Sequence, residues 1–587
     1  MRKVIVGVLA VIGGLAIVTV LLGGAMIVGA RFGKGIVAAN TVLEVDFERA
    51  FLEDSPDDPF VELLAGKGVV VRDVVDALER AGRDARVKGL VARVGAAPMG
   101  VAQVQELRDA VAAFRAEGKW TVAYAETFGE VGPGNGAYYL ASAFEEIYLL
   151  PSGDVGLTGI MYESMFLRGT LEKLGLAPRM DHRKEYKNAM NTFTERAYTE
   201  AHREAMQKVM DSQFAQMVRG VAAGRGLSDT QVRGLFDRGP YLGKEAVTAQ
   251  LVDGVAYRDE VYEKVNGKVG ATPSYLSLGR YLERAGRPHQ KGSTIALVYG
   301  LGGVQRGRSG YDPVFGDVTM GSDTVAGALR KAIKDEDVKA ILFRVDSPGG
   351  SYVASDAIWR ETVRAKRAGK PVIVSMGNVA GSGGYFVAMA ADKIVAQPGT
   401  ITGSIGVLGG KMLTAGLWEK LGVSWDEVHS SANARIFTGT HDYSPEEWAR
   451  FQAWLDRVYE DFTGKVAEGR SLPREKVLQI AKGRIWTGED AKAIGLVDEL
   501  GGFPVALRLA REAAHLAPDA PIRLQVFPEK RTLFQALLER ETGEPSENAA
   551  VAARALSALQ PLMQEARRLG LTPYRGELAM PEWGQTW

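Results

Sequence analysis

Residues 74–78 read Val-Val-Asp-Ala-Leu and residues 325–329 read Val-Ala-Gly-Ala-Leu, 251 positions later. The same offset lays Val87-Lys88 on Val338-Lys339 and Arg93-Val94 on Arg344-Val345. After a four-residue difference the offset becomes 247, pairing Tyr138 with Tyr385, Ile147 with Ile394, Pro151 with Pro398 and Gly159 with Gly406. Tyr241-Leu242-Gly243 through Asp253 then echoes Trp486-Thr487-Gly488 through Asp498. A chain of 587 residues that repeats itself this way is two copies of one unit, and each copy must fold to a similar plan.

Within each copy, short apolar runs alternate with stretches of helical period. Thr41–Phe47 and Val87–Val94 read as strands, and Asp73–Ala81 between them as a helix. Thr294–Tyr299, Ala340–Val345 and Pro371–Val374 read as strands of the second series. Alternation of this kind predicts an α/β fold with parallel sheets. The expected divisions are a first domain over 40–285, a polar linker at 286–292, a second domain over 293–522 and a C-terminal extension over 523–587. Glu200–Gly224 and Glu446–Arg470 read as long amphipathic helices, and a further helical patch lies at Ala549–Leu569.

The copies differ most where chemistry would be expected. In the second, an apolar run leads to Gly381-Ser382-Gly383-Gly384 and then to a small-residue helical run, a strand, sharp turn and helix. A hydroxyl on such a turn sits beside the free N–H groups of a first helical turn, the donors an acyl-transfer oxyanion needs. Some thirty residues earlier, Asp346-Ser347-Pro348-Gly349-Gly350-Ser351 forms a second glycine turn. At neighbouring strand ends the two turns would face one crevice. The first copy has Asn135 opposite Ser382 and Ala96-Ala97-Pro98-Met99 opposite Ser347-Pro348-Gly349-Gly350. An amide cannot replace a hydroxyl as nucleophile, although Asn135 would suit a helix cap. The first copy is thus either scaffold alone or the source of something the second lacks.

Equal counts of basic and acidic residues, 71 each, remove any global electrostatic case for nucleic acid. Without Cys there is neither a disulfide nor a thiolate metal site. The six His show no metal-ligand spacing, and no cofactor is implied. The uncharged apolar run Val4–Ala30 is long enough to cross a hydrocarbon core of roughly 30 Å, so an N-terminal transmembrane anchor at 4–30 is expected rather than a cleaved signal peptide. Arg2 and Lys3 on one side and Arg31 and Lys34 on the other barely separate its two orientations.

Ser-Pro-Gly-Gly-Ser at 347–351, Ala-Gly-Ser-Gly-Gly-Tyr at 380–385 and Thr-Gly-Ser-Ile-Gly at 402–406 together resemble the signal peptide peptidase A family. These are membrane-bound serine proteases of the ClpP/crotonase-like superfamily, and the resemblance spans roughly Thr41–Arg540. It implies two tandem ClpP/crotonase-like domains anchored N-terminus in, with the bulk outside the cytoplasmic membrane. It also implies a homo-oligomer, a tetramer by resemblance, acting on signal-peptide remnants and other hydrophobic peptides. From the residues alone, His182, His429 or His441 could activate Ser382 in a Ser-His-Asp arrangement. The resemblance instead implies a Ser-Lys dyad whose lysine lies in the first copy, in a Tyr-Lys-x-Ala segment, which nominates Lys187 as base over nearby Lys184. Ser404 would orient that lysine or would be a plain turn serine. The expected oxyanion donors are the N–H of Gly383 and that of Gly349 or Gly350. A silent membrane scaffold and a crotonase-like acyl-CoA enzyme are the rival readings.

Overall fold

The computed structural model describes residues 35–49, 51–54, 68–95, 99–270, 272–312, 317–529 and 578–579. The apolar run 4–30, residues 96–98 of the first-copy turn and the helical patch at 549–569 lie outside them. Among the described residues no helix is long and apolar enough to cross a membrane.

Each copy builds a mainly parallel sheet. The first runs in the order Gly254–Val255, Glu146–Leu149, Trp120–Ala125, Val87–Arg93, Thr41–Asp46, Ser274–Ser277, with every neighbour parallel. The second runs Ile485–Thr487, Ile401–Gly403, Val372–Gly381, Val338–Ser347, Ser293–Leu301, Ile522–Phe527, and only its Ile485–Thr487 edge is antiparallel. Lys393–Ala396 pairs with the first part of Val372–Gly381. Continuous apolar strands such as Ala340-Ile341-Leu342-Phe343 are what a sheet covered on both faces requires. The covering helices follow the sequence period: in Val71–Gly82, residues Val71, Val74, Val75, Leu78 and Ala81 are buried.

The repeat extends to its hydrogen bonds. Tyr138 Oη donates to the Leu251 carbonyl and Tyr385 Oη to that of Leu496. The N–H of Ile147 is held by Asp253 and that of Ile394 by Asp498, and these carboxylates pair with Arg225 and Arg470.

The two sheets share one apolar core. First-copy residues such as Leu107 and Phe114 join Leu297, Leu342, Ile373 and the helix Phe503–Ala513 in a single cluster. A buried charge cluster crosses the same boundary. Arg344, wholly inaccessible to solvent, reaches Glu53 at 2.8 Å and Glu106 at 2.7 Å, both from the first copy. Glu106 also accepts the N–H of Phe503 at 2.7 Å. Removing one partner of such a cluster strands a buried charge, at a cost of about 3–5 kcal/mol. The relative placement of the copies is therefore set by both packing and charge.

A third contact is a two-stranded antiparallel ladder made of one strand from each copy, Ala177–His182 against Leu408–Leu413. It carries first-copy residues 183–187 into the second copy, with the Arg183 N–H bonded to the Val407 carbonyl.

Candidate functional site

Val372–Gly381 is ten residues long, beyond the Pro371–Val374 run legible as a strand, and ends directly at Ser382. Ser382 has φ 53° and ψ −114°, a conformation costing a residue with a Cβ about 1–3 kcal/mol. Its N–H is held by the Gly403 carbonyl at 2.8 Å, while its own carbonyl accepts from Phe386 to start the helix Gly383–Ala388. The hydroxyl is thus presented where strand turns into helix. Glycines keep this space open: a Cβ on Gly383 would lie 3.0 Å from the Gly350 nitrogen, and one on Gly384 2.5 Å from the Ser347 carbonyl oxygen.

The second glycine turn lies beside the first. Val338–Ser347 pairs in parallel with Val372–Gly381, so the two chain ends emerge together. Ser347 Oγ donates to the Gly302 carbonyl at 2.6 Å and accepts the Gly349 N–H at 3.2 Å. That bond occupies the Gly349 donor. Gly350, at φ 148°, would bring a Cβ to 2.2 Å from the Val304 carbonyl oxygen, so only glycine fits there.

Lys187 arrives from the first copy. Its Nζ lies 2.8 Å from Ser382 Oγ, 3.0 Å from the Ser404 carbonyl oxygen and 3.0 Å from Ser404 Oγ. The side chain is 1% exposed. Gly406 and Gly483 flank it closely, and a Cβ on Gly483 would sit 2.5 Å from the Lys187 Cβ. Burial alone lowers its pKa from the ordinary lysine range to about 7. The three neighbours fit a neutral amine, which has two N–H donors for the two Ser404 oxygens and one lone pair for the Ser382 O–H. Lys184, three residues earlier, is exposed.

Ser382, Lys187, Ser404, Gly383 and Gly350 therefore meet at one point, with Gly349 adjacent but already bonded. All six His are described, and none hydrogen-bonds to Ser382. His182 lies in the inter-copy ladder, and His441 pairs with Glu427 on the surface. Among the described residues no cluster of His, Asp and Glu could hold a metal. Asn135 does not cap its helix: its Oδ1 accepts the N–H groups of Thr158 and Gly159 at 2.9 and 3.1 Å, and its Nδ2 donates to the Gly159 carbonyl at 2.8 Å. Sequence reasoning missed Gly483, which nothing in the repeat marks, and Asp346, read only as the start of a turn.

Residues 113–272 and 364–517 match peptidase family S49, one segment in each copy. The chain is 33% identical to Protease 4 of Salmonella typhi over 80% of its own length and 76% of that protein. It is 30% identical to the chloroplastic serine protease SPPA of Arabidopsis thaliana, over 78% of its length and 68% of the relative. The likeness to a solved ClpP1 mutant from Listeria monocytogenes is slight, at 15% identity over 36% of this chain and 94% of that one, with a TM-score of 0.23. With one match in each copy and relatives similar over most of the length, this chain belongs to peptidase family S49 and is a serine peptidase.

Proposed function

We propose that this chain is a membrane-anchored endopeptidase working through a Ser382–Lys187 dyad. The observation that carries the reading is the Lys187 amine, buried without a carboxylate partner and within 2.8 Å of Ser382 Oγ.

Neutral Lys187 accepts the Ser382 proton as Oγ bonds to the substrate carbonyl carbon. The tetrahedral oxyanion is held by the N–H groups of Gly383 and Gly350, the choice between the two glycines of the second turn resting on the bond that occupies Gly349. The new ammonium is steadied by the two Ser404 oxygens and returns its proton to the leaving amine as the C–N bond breaks. Water, deprotonated by the same amine, then attacks the ester carbon and releases the acid product with Ser382 restored.

An extended backbone suits the approach, because the edge at Gly349–Gly350 accepts Leu578–Ala579 as an antiparallel strand. Substrates are hydrophobic peptides such as signal-peptide remnants, consistent with the family resemblance and the apolar run 4–30. The same resemblance supports a ClpP/crotonase-like fold for each copy, a homotetramer, and an inner-membrane protein with its bulk on the extracytoplasmic side. The test is labelling by a fluorophosphonate and hydrolysis of a synthetic signal peptide by detergent-solubilised full-length protein. Wild type should react at residue 382 and cleave, while Ser382→Ala and Lys187→Ala should do neither. Cleavage retained in Lys187→Ala would reject the base, and an unreactive wild type would favour a binding scaffold.

A further inference from the structure

The nucleophile strand is irregular just before Ser382, and one carboxylate fills the irregularity. Val345 lies opposite Met376, but the next paired residue, Ser347, lies opposite Ala380. Gly377, Asn378 and Val379 therefore bulge out against Asp346 alone. Asp346 Oδ1 accepts the Val379 N–H at 2.8 Å, and the Asn378 N–H also points to this carboxylate. A Cβ on Gly377 would lie 2.8 Å from the Asp346 side chain, so the bulge is packed directly onto it. On its other side, Asn378 Oδ1 accepts the Gln103 N–H at 3.0 Å, in the first turn of the first-copy helix Val101–Ala116.

Asp346 belongs to both turns of the site. Its side chain ties down the bulge that precedes Ser382, and its backbone immediately precedes the Ser347–Gly350 turn, with its carbonyl held by the Gly302 N–H at 2.9 Å. The first copy has Gly95 at this position on the 251-residue offset, so the carboxylate accompanies the copy that keeps the serine.

Resting on the dyad reading above, we infer that Asp346 is a positioning residue for peptide hydrolysis: its ionised carboxylate clamps the Gly377–Val379 bulge to the Gly349–Gly350 turn and so sets the spacing between Ser382 Oγ and the oxyanion donors. The charged groups that bear on it are Glu53 from the first copy and Arg344 on its own strand, with Glu106 tied to the other side of Arg344. Burial and Glu53 raise its pKa to about 7, against the backbone bonds and Arg344. The clamp loosens on protonation, because a neutral carboxyl keeps one good acceptor oxygen for two N–H donors.

The test measures kcat and KM of full-length protein from pH 5 to 9, with a small apolar peptide amide bearing a fluorogenic leaving group. Wild type should show an acid limb in kcat/KM that steepens toward two protons, one from Lys187 and one from Asp346. Asp346→Asn should lower the plateau by about fivefold and leave a one-proton limb, and Asp346→Ala should lower kcat by about tenfold or more with KM within about twofold. A two-proton limb retained in Asp346→Asn, a one-proton limb in wild type, or a loss confined to KM would overturn the positioning role. Failure of wild type to cleave any peptide would instead overturn the dyad reading. Thermal unfolding of each variant separates these outcomes from misfolding, and Asp346→Asn, which removes the charge but little volume, keeps the question open if Asp346→Ala does not fold.

Discussion

At residue 135 the first copy holds an amide that bonds to the backbone of Thr158 and Gly159; at residue 382 the second holds a hydroxyl that bonds to the amine of Lys187. On the 247-residue offset Thr158 and Gly159 correspond to Ile405 and Gly406, and Lys187 packs against this second-copy segment through the Ser404 oxygens and Gly406. The Asn135 side chain thus makes across one gap the bridge that Lys187 makes across the other. The helix start also differs: Asn135 lies inside a helix capped by Gly134 at φ −110°, whereas Ser382 is itself the cap and is held at φ 53°. One copy satisfies its own polar groups, while the other leaves a strained hydroxyl to be satisfied by its sibling. On the proposed dyad, duplication has separated support from chemistry, with the first copy lending the second its amine.

The largest effect expected from breaking this asymmetry is loss of activity in Ser382→Ala or Lys187→Met, about 10⁴-fold or more in kcat/KM, with nothing recovered from the first copy. Gly350→Ala comes next: the added Cβ meets the Val304 carbonyl at a φ suited to glycine, displaces the N–H proposed to hold the oxyanion, and should cost about 10²-fold in kcat by steady-state assay. In wild type, pH acts in a definite direction. The amine is neutral above about pH 7 and protonated below it, so kcat/KM should fall by about tenfold or more per unit as pH drops below 7.

Stability sharpens the same contrast. The Lys187 pKa is depressed on folding, so the stability associated with its neutral form is complete above the ordinary lysine value and lost as pH falls toward 7. Lys187→Met should therefore be inactive yet more stable than wild type by about 4 kcal/mol below pH 7, with the gap closing by pH 10, as read by chemical denaturation. The smallest effect is expected at the mirror position. Asn135→Ser should leave peptidase activity within about twofold and cost about 1–3 kcal/mol, because the N–H groups of Thr158 and Gly159 lose their acceptor.

Much of this was legible in the residues. Apolar runs and helical periods located the central strands Thr41–Asp46, Val87–Arg93, Ser293–Leu301 and Val338–Ser347 and the helices Val71–Gly82, Glu200–Arg225 and Pro445–Arg470, because buried parallel strands and one-sided helices leave those patterns. Ser382 and the two glycine turns stood out because they persist in one copy only. Lys187 did not, since it lies 195 positions from Ser382 and no spacing rule joins them; the family resemblance named it. The nucleophile strand was read too short because Gly377 and Asn378 interrupt its apolar run, and the Asp346 carboxylate that sustains the strand there is a tertiary contact. The choice between Gly349 and Gly350 turns on where Ser347 Oγ points, which sequence does not encode locally.

The central claim is that the first copy supplies a neutral amine to the second. The direct measurement is an NMR titration of the Lys187 side chain in full-length protein carrying ¹³C-labelled lysine, assigned with Lys187→Met. A resonance titrating near pH 7, well apart from the other lysines, is the predicted result. Titration near the ordinary lysine value of about 10.4 would contradict the account.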